Sequence, residues 1–402
     1  MVYGVLKITK AKQKTIPTYS DEERAFLVGV GLKGKRPTWS VSDSLDELAQ
    51  LASTAGADVV GITSQQLERQ LPTYLGKGKI EELKDIRSKV YFDTIICDDE
   101  LTPTQQRNLE QAFAKKGTVS DLKVIDRAAL IIDVFAKHAQ TREGRLQVEL
   151  AQAEYLLPRL AGQWSHLERL GGGIGTRGPG ETQIETDRRL ATRRIQKLKS
   201  NLEDIRKHRE QYRRQRQRSG IPMVSLVGYT NAGKSTLLNA LGRAEVTAKD
   251  QLFSTLDPVT RRINLPNGTQ FLLTDTVGFI QKLPPALVAA FRATLEELFT
   301  AEILIHVVDI SHPNAPEHVN VVEDVLRDLN VDSKSQIIAL NKVDLLNNEL
   351  DEELKSNLSS FFKSSGVTAV VTSAETGLGL NELLKAIQNN VKSVPNDELI
   401  NL

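Results

Sequence analysis

The chain has 402 residues, enough for two or three domains, and its 40% of hydrophobic residues is typical of a globular protein with buried cores. The formal net charge of only +1 excludes a strong overall attraction to nucleic acid. Cys97 is the only cysteine, which excludes an internal disulfide and is typical of a reducing compartment. The sequence shows neither an apolar signal-peptide core nor the ~18 apolar residues of a membrane span, so we expect a soluble, cytoplasmic protein without a membrane anchor. An organellar location and peripheral association with ribosomes or membranes stay open at this point.

Short apolar stretches alternate with amphipathic ones from about residue 25 to 140. The stretches AFLVGV, ADVVGITS and FDTIICDD predict strands, and DSLDELAQLASTAG, KIEELKDIRSK and TPTQQRNLEQAFAKKG predict helices. Strands that alternate with helices pair in parallel through right-handed crossovers. The sequence therefore predicts a small parallel α/β domain in this region.

The pattern changes between about 143 and 217, where apolar residues recur three and four positions apart in two stretches. Such spacing places one apolar stripe along each helix, and two helices joined by a loop pack as an antiparallel hairpin, a coiled coil. We expect a kink at Pro158, which removes one helical hydrogen bond, and arms on the order of 40 Å long. The stripes comprise Leu146, Leu150, Ala153, Leu157, Leu160, Trp164 and Leu167 in the first arm, and Ala191, Ile195, Leu198, Leu202 and Ile205 in the second.

The alternation of strands and helices returns from about 220 to 392. The stretches IPMVSLVG, FLLTDTVG, ILIHVVDI, SQIIALNK and TAVVTSA predict apolar, mostly parallel strands. The predicted organisation is an N-terminal α/β domain at 1–140, a helical hairpin with a glycine-rich tip at 141–218, a nucleotide-binding α/β domain at 219–392 and a polar tail at 393–402.

The segment GYTNAGKS, residues 228–235, matches the phosphate-loop pattern G-x-x-x-x-G-K-[ST]. It stands between a predicted strand and a predicted helix, which is the context that the motif requires. The glycines allow backbone N–H groups to surround phosphate, and the helix N-terminus adds a favourable dipole. Lys234 is expected to reach the β- and γ-phosphates, and the Ser235 hydroxyl to bind Mg²⁺.

Two further motifs follow the phosphate loop in the order typical of a GTPase (G) domain. Asp275 ends a predicted strand, where its carboxylate can hold the Mg²⁺ shell through water, and Gly278 can offer its N–H to the γ-phosphate. In NKVD, residues 341–344, the final carboxylate can accept two guanine N–H groups that adenine lacks. The asparagine is expected to brace the loops, the lysine to lie along the base, and the backbone of residues 372–374 to meet the guanine oxygen. These motifs predict GTP rather than ATP as the ligand.

The segment DQLFSTLDPVTRR between these motifs is expected to form a switch loop. Such a loop supplies one threonine hydroxyl to Mg²⁺ in the triphosphate state. Thr255 is the preferred candidate and Thr260 the alternative. After Gly278 come Phe279 and Ile280, where Ras-like enzymes carry a glutamine that orients the attacking water. We therefore expect these two side chains to pack under the switch, and intrinsic hydrolysis to be slow until a partner completes the site.

Several strings together resemble the HflX family of GTPases over about residues 25–390: GKGKIEEL, VFAKHAQTREGRLQVELAQAEYLLPRL, RLGGGIGTRGPGETQIETDRR, GYTNAGKST, LFSTLDPVTRR, and DTVGFI followed by LPPALVAAFRATLEE. The resemblance implies a Mg²⁺-dependent GTPase that reaches the rRNA of the large ribosomal subunit and acts in splitting or rescue of stalled ribosomes under stress. It implies Mg²⁺ ligation by Ser235 and Thr255, and catalytic roles for Lys234, Ser235, Thr255 and Gly278. The implied nucleotide contacts are Gly228, Tyr229, Thr230, Asn231, Ala232, Gly233, Lys234, Ser235, Phe253, Ser254, Thr255, Leu256, Asp257, Asp275, Thr276, Val277, Gly278, Asn341, Lys342, Val343, Asp344, Ser373, Ala374 and Glu375.

The second arm of the hairpin is basic, with RRLATRRIQKLK followed by RKHREQYRRQRQR. A basic stripe of this kind is typical of RNA phosphate binding, and the alternative is a solvated helix face. The loop GGGIGTRGPG between the arms is glycine-rich, which allows close approach to RNA or makes a mobile connector. GKGK at 76–79 could hold a phosphate or cap a helix. The RNA-binding candidates are Arg177, Arg188, Arg189, Arg193, Arg194 and Lys197.

Three functions remain open at this point. The first is a ribosome-associated GTPase switch, and the second is an RNA-binding protein whose barely hydrolysed guanine nucleotide is structural. The third is a guanine-nucleotide regulator of a protein complex. The basic arm and the glycine-rich loop favour the first, in which we expect a monomer with GTP or GDP and the large ribosomal subunit as partners.

Overall fold

The computed structural model contains one parallel and one mostly parallel sheet, connected by a long helical hairpin, as the sequence predicts. None of the helices in the described residues combines the length and apolarity that a membrane span requires. The structure describes residues 23–34, 39–114, 122–163, 183–218, 220–242, 252–253, 255–284, 287, 292–346 and 367–391.

The N-terminal sheet has the strand order β2-β1-β3-β4, and all three strand pairs are parallel. The six predicted elements are present, but β4 and α4 were not predicted. The strand KVID is only four residues long, and its last residue, Asp126, already caps the next helix by accepting the N–H of Ala129. The elements are β1 (Arg24–Leu32), α1 (Val41–Thr54), β2 (Asp58–Leu67), α2 (Lys77–Lys89), β3 (Thr94–Cys97), α3 (Pro103–Phe113), β4 (Lys123–Asp126) and α4 (Arg127–His138).

The hairpin consists of α5 (Arg142–Gln163) and α6 (Gln183–Arg218). At ~1.5 Å per residue, the described 22 and 36 residues account for about 33 Å and 54 Å of helix. Pro158 lies inside α5. The glycine-rich loop, Trp164 and Leu167 lie outside the described residues. The predicted stripes meet through buried Leu150, Ile195 and Leu198, with Leu146, Ala153, Leu157 and Leu202 packed around them.

Helix α5 also belongs to the N-terminal core, which the stripe pattern did not predict. Val148 and Ala151 are buried in the same cluster as residues of α1 and α4. Arg159 pairs with Asp126 at 3.1 Å, and the Tyr155 hydroxyl donates to Asp126 at 2.9 Å. The first arm of the hairpin is therefore fixed to the N-terminal domain from Val148 to Arg159.

The G-domain sheet has the order β10-β9-β8-β5-β7-β6, in which only the β6–β7 pair is antiparallel. Strand β6 lies within the segment for which the sequence predicted a switch loop. The strand was not predicted because VTRRIN is mostly polar and alternates only weakly between apolar and polar residues. The elements are β5 (Met223–Gly228), α7 (Lys234–Gly242), β6 (Val259–Asn264), β7 (Gln270–Asp275), α8 (Arg292–Thr300), β8 (Ile303–Asp309), α9 (Ala315–Asp328), β9 (Ser335–Asn341), β10 (Thr368–Val371) and α10 (Leu380–Asn390).

Candidate functional site

The phosphate loop joins the buried central strand β5 to helix α7, at the carboxyl edge of the sheet. Gly233 has φ +91°, and a Cβ there would lie 2.4 Å from the side-chain nitrogen of Asn341. Asn341 in turn donates to the backbone carbonyl of Ala232 at 2.9 Å. Only glycine allows this approach, and the side chain of Asn341 then holds the NKVD segment to the backbone of the loop.

Lys234 is the first residue of α7 and is only 6% exposed. Its ammonium group donates to the carbonyl oxygens of Gly228 at 3.2 Å and Tyr229 at 2.8 Å. Burial lowers the pKa of Lys234 to about 8, an effect that the charge of Asp275 partly offsets. The lysine therefore lies in a site where a bound anion would strongly favour its charged form.

Ser235, Thr255 and Asp275 gather their oxygen atoms beside this lysine. The Ser235 hydroxyl donates to Asp275 Oδ2 at 2.6 Å and lies 2.7 Å from the Thr255 hydroxyl. Asp275 is 1% exposed, and its Oδ1 has no hydrogen-bond partner within the described part of the chain. Hydroxyl and carboxylate oxygens are the ligands that Mg²⁺ prefers, so this set fits a magnesium ion.

Thr260, the alternative switch threonine, lies elsewhere. It belongs to β6, and its hydroxyl is 2.9 Å from that of Thr274 across the β6–β7 pair. Of the two candidate threonines, Thr255 is therefore the one whose hydroxyl contacts Ser235.

The segment after Asp275 packs directly on the phosphate loop. Phe279 pairs with the loop through its backbone, donating to Gly228 at 3.0 Å and accepting from Thr230 at 2.8 Å. A Cβ at Gly278 would lie 2.8 Å from Thr230 Cα and 2.9 Å from Lys234 Nζ. Glycine at this position therefore permits the closest contact between the two segments.

Phe279 and Ile280 are 2% and 1% exposed. They belong to the same apolar cluster as Phe253 and Leu256 of the switch segment. This confirms the expectation that they pack under the switch. Neither side chain has a polar group that could orient water.

The predicted base-binding residues surround the end of β9. Asn341 accepts the N–H of Ala374 at 3.0 Å, so it connects the phosphate loop to the segment after β10. Lys342 has φ +64° and pairs with Asp309 at 2.7 Å. Asp344 is exposed, as an acceptor for an incoming base requires.

Some residues of the switch segment that were predicted to contact the nucleotide contact the N-terminal domain. Phe253 lines the pocket but also packs edge-on against Phe135 of α4, with ring centroids 4.5 Å apart. Leu256 is buried in the apolar cluster, and Asp257 accepts the backbone N–H groups of Gln140 and Thr141 at 3.0 and 2.8 Å. Ser254 lies outside the described residues.

A group of polar side chains connecting the N-terminal domain to the phosphate loop was not predicted. Arg127 is 1% exposed and pairs with Asp98 at 2.8 Å and with Glu47. The Tyr229 hydroxyl donates to Glu47 and accepts the backbone N–H of Gln281 at 2.9 Å. Lys282 pairs with Asp98 and with Asp99. We name as the junction network the side chains Glu47, Asp98, Arg127, Tyr229 and Lys282.

Burial and charge act in opposite directions within the junction network. Burial raises the pKa of Glu47, and Arg127 only partly offsets it. Burial also acts to raise the pKa of Asp98, but the charges of Lys282 and Arg127 outweigh it and hold that pKa below its ordinary value. One feature of the sequence could have indicated this network: a charged residue directly follows each of two apolar strands, Asp98 after β3 and Arg127 after β4.

The RNA-binding candidates within the described residues lie together on α6. Arg194 pairs with Glu149 of α5 at 2.7 Å, and neighbouring Lys199 pairs with Glu154 at 2.8 Å. Arg177 lies outside the described residues. The exposed basic face of α6 comprises Arg188, Arg189, Arg193, Arg194, Lys197 and Lys199.

Comparison with known proteins matches most of the chain in three parts. Residues 42–136 match the family model "GTP-binding GTPase N-terminal", and residues 138–216 match "GTP-binding GTPase Middle Region". Residues 223–342 match "50S ribosome-binding GTPase".

Proteins that are similar to this chain over most of its length include several with the same name. A "GTPase HflX" of Lacrimispora saccharolytica is 48% identical over 92% of this chain and 84% of its own length. That of Escherichia coli is 43% identical over 92% and 83%. A GTP-binding protein of Sulfolobus solfataricus, solved with GDP, is 24% identical over 92% of this chain and 98% of its own, with a TM-score of 0.45. Identity above 40% over most of both chains, with the GTPase motifs in place, shows that this protein is a GTPase and belongs to the HflX family.

Proposed function

We propose that this GTPase acts on the large ribosomal subunit in the cytoplasm and takes part in splitting or rescue of stalled ribosomes under stress. The observation that carries the proposal is the exposed basic face of α6. This helix belongs to a hairpin that packs on the N-terminal domain of the same GTPase. The description of the family matched at 223–342, which refers to ribosome binding, supports it.

The predicted nucleotide contacts have a consistent chemical division of roles. Lys234 and the N–H of Gly278 bind the γ-phosphate, and Asp344 accepts the guanine N–H groups. The hydroxyls of Ser235 and Thr255 would hold Mg²⁺ directly, and the Asp275 carboxylate would hold it through water. When bound there, the ion would supply positive charge next to the phosphates. The unpartnered Asp275 Oδ1 supports this assignment.

Slow intrinsic hydrolysis follows from the buried side chains behind Gly278. Since Phe279 and Ile280 cannot orient water, catalysis depends on positioning of the phosphates and on the lysine charge. A partner that orders the switch around Thr255 would complete the site. The ribosomal subunit fits this role because α6 can bind its RNA phosphates while the G domain meets its surface.

The decisive experiment measures GTP hydrolysis with and without large ribosomal subunits at low salt. We expect stimulation of at least ~10-fold, which needs only ~1.4 kcal/mol of additional transition-state stabilisation. The variant Arg188→Glu with Arg193→Glu should lose the stimulation and keep the intrinsic rate. The matched control Arg262→Glu with Lys385→Glu reverses two exposed charges of the G domain and should retain it.

Two results would contradict the proposal. A hydrolysis rate that ignores ribosomal subunits at low salt, where phosphate contacts are strongest, would leave a GTPase without a ribosomal role. RNA binding with a turnover that no subunit raises would instead favour a structural nucleotide.

A further inference from the structure

Two contacts with the N-terminal part of the chain lie on either side of Thr255, the proposed magnesium ligand of the switch segment. Before it, Phe253 packs edge-on against Phe135 of α4, with ring centroids 4.5 Å apart. After it, Asp257 accepts backbone N–H groups at the start of the hairpin. At ~3.3–3.6 Å per residue, the chain places neither anchor more than about 7 Å from Thr255. The position of this threonine is therefore set from both sides.

The first anchor holds the backbone in an unfavourable conformation. Phe253 has φ +57°, a region that bulky residues rarely occupy. Its side chain is 2% exposed and shares an apolar cluster with Leu252, Leu256 and Phe135. Such a conformation persists only where the surrounding structure stabilises it, so this bend of the switch depends on packing against the N-terminal domain.

The second anchor is the carboxylate of Asp257, which lies at the N-terminus of helix α5. Its Oδ2 accepts the backbone N–H of Gln140 at 3.0 Å and that of Thr141 at 2.8 Å, and its Oδ1 accepts the Thr141 hydroxyl. The same hydroxyl caps the helix by accepting the N–H of Gly144 at 3.0 Å. A carboxylate is favourable here because the N-terminus of a helix carries partial positive charge.

Two further features commit Asp257 to the hairpin rather than to the nucleotide. A Cβ at Gly144 would lie 2.6 Å from Asp257 Oδ1, so glycine at this position leaves room for the carboxylate. The described residues that line the phosphate pocket include Phe253 and Thr255 but not Asp257. Pro258 follows and disfavours helical conformations of the residue before it, which stiffens the connection to β6.

The first turn of α5 is also bound to the basic arm of the hairpin. Glu143 is 9% exposed, and its carboxylate lies 2.9 Å from Nε of Arg209 on α6. Gln147, one turn further along α5, is 1% exposed and donates to the Glu143 carboxylate at 3.3 Å. Contacts of a single helical turn therefore connect α6 to Asp257.

We propose that Asp257 is a positioning residue of the GTPase reaction, which binds the N-terminus of α5 and thereby holds the Thr255 hydroxyl next to Ser235. The 2.7 Å between these two hydroxyls is the arrangement that Asp257 maintains. Because the contact joins the hairpin to the magnesium site, each should respond to a change in the other. The inference rests on the proposed role of Thr255 as a magnesium ligand, but not on the ribosome.

The test measures nucleotide affinity of the full-length protein by fluorescence, with N-methylanthraniloyl-labelled GDP and the equally labelled, non-hydrolysable GTP analogue GMPPNP. A switch threonine reaches the ion only in the triphosphate state. In Mg²⁺, Asp257→Ala should therefore weaken GMPPNP about 5-fold, as expected for a lost hydrogen-bonded anchor, and leave GDP unchanged. In EDTA, parent protein and variant should bind GMPPNP equally. Asp257→Asn keeps one acceptor oxygen and should lose less affinity.

Gly144→Ala separates positioning from direct contact with the nucleotide. Its methyl group displaces the Asp257 carboxylate from α5 but retains the aspartate, and alanine is favourable inside a helix. Positioning predicts the same loss of GMPPNP affinity as in Asp257→Ala, whereas direct contact predicts no loss. The control is Thr102→Ala, which removes the hydroxyl that caps α3 by accepting the N–H of Gln105 at 3.2 Å. It should lower the unfolding temperature without changing either affinity.

Amide hydrogen exchange gives a second measurement, at the helix itself. In the parent protein, GMPPNP with Mg²⁺ should slow exchange of the Thr141 and Gly144 N–H groups relative to GDP, since coupling between two sites is reciprocal. Thr255→Ala and Asp257→Ala should each remove this difference.

The outcomes separate this inference from the proposed magnesium role. Weaker GMPPNP binding by Thr255→Ala but not by Asp257→Ala, or full affinity in Gly144→Ala, would overturn the inference alone. A GMPPNP affinity that neither Thr255→Ala nor Asp257→Ala changes, or that Mg²⁺ does not raise, would overturn both. Equal losses of GDP and GMPPNP affinity in Asp257→Ala, or a loss that Thr102→Ala shares, would leave Asp257 as a structural contact of α5 and overturn the inference as well.

Discussion

The junction network and the hairpin each contain an arginine–carboxylate ion pair, but in opposite surroundings. Arg127 and Asp98 are 2.8 Å apart and have 1% and 2% of their side chains exposed. Arg194 and Glu149 are 2.7 Å apart, but 67% and 39% exposed. The distances do not separate the two pairs. Burial separates them, because water can solvate a charge that loses its partner on the surface of the hairpin but cannot reach one in the junction network.

This difference fits the two roles proposed for these regions. The cations of α6 can leave their partners for RNA phosphates at little cost, since the surface pair is weak. The junction network cannot exchange partners without exposing its buried charges. It therefore ties the phosphate loop and the segment after Gly278 to the N-terminal domain.

The largest expected effect is that of Arg127→Met. It leaves Glu47 and Asp98 buried near each other without their shared cation. We expect the free energy of unfolding, measured by urea denaturation, to fall by about 3–5 kcal/mol. Arg194→Met in the same assay should cost at most about 1 kcal/mol.

A second variant examines the cause of that loss. Adding Glu47→Gln to Arg127→Met removes one of the stranded charges and should recover part of the stability. No recovery, together with equal losses for Arg127→Met and Arg194→Met, would show that burial does not distinguish the two regions.

Tyr229→Phe should have the next largest effect. It removes the hydroxyl that donates to Glu47 and accepts from Gln281. A buried carboxylate and a backbone N–H lose a partner, so unfolding should become easier by about 1–3 kcal/mol. Tyr91→Phe is the control, because Tyr91 is 57% exposed, and it should leave stability unchanged. If the Tyr229→Phe protein were as stable as this control, the hydrogen bonds of the Tyr229 hydroxyl would not contribute to the stability of the junction network.

The phosphate loop could be predicted from the sequence because its chemistry is local. Fixed spacing within residues 228–235 places glycine, lysine and serine on one turn between a strand and a helix. The same holds for the apolar stripes of the hairpin, where periodicity alone predicts which residues meet. The two short strands were missed for the opposite reason, since four or six residues with mixed polarity carry little periodic signal.

The junction network could not be predicted because its members are far apart in the sequence. Glu47 and Tyr229 are separated by 182 positions, and Asp98 and Lys282 by 184. Each looks like an ordinary polar residue of a helix or loop. Only the docking of the two α/β domains turns them into buried partners.

A pH-dependent prediction extends the comparison to Lys234, a buried cation of the G domain. Its pKa is lowered from 10.5 to about 8 by burial, so without nucleotide it loses its proton above pH 8. Bound phosphate favours the charged form, so binding above this pH requires proton uptake. Nucleotide affinity should fall by up to about 10-fold per pH unit above 8.

Calorimetry in two buffers of different ionisation enthalpy measures this uptake. Lys234→Arg is the control, because a guanidinium stays protonated in this range. Nucleotide binding by the Lys234→Arg protein should therefore lack the pH dependence that proton uptake at position 234 causes. Equal pH dependence of the two proteins would assign the titration to another group.

The smallest effect is expected for the exposed pair of the hairpin. A double-mutant cycle of Arg194→Met and Glu149→Ala should give a coupling of about 0.2–1 kcal/mol at low salt. In about 1 M salt, where screening acts over about 3 Å, the coupling should nearly vanish. A coupling above about 2 kcal/mol, or one that salt does not change, would mean that Arg194 is committed to Glu149. The arginine could then not turn to RNA without a large loss, and the basic face of α6 would be a structural seam of the hairpin rather than a surface for the ribosome.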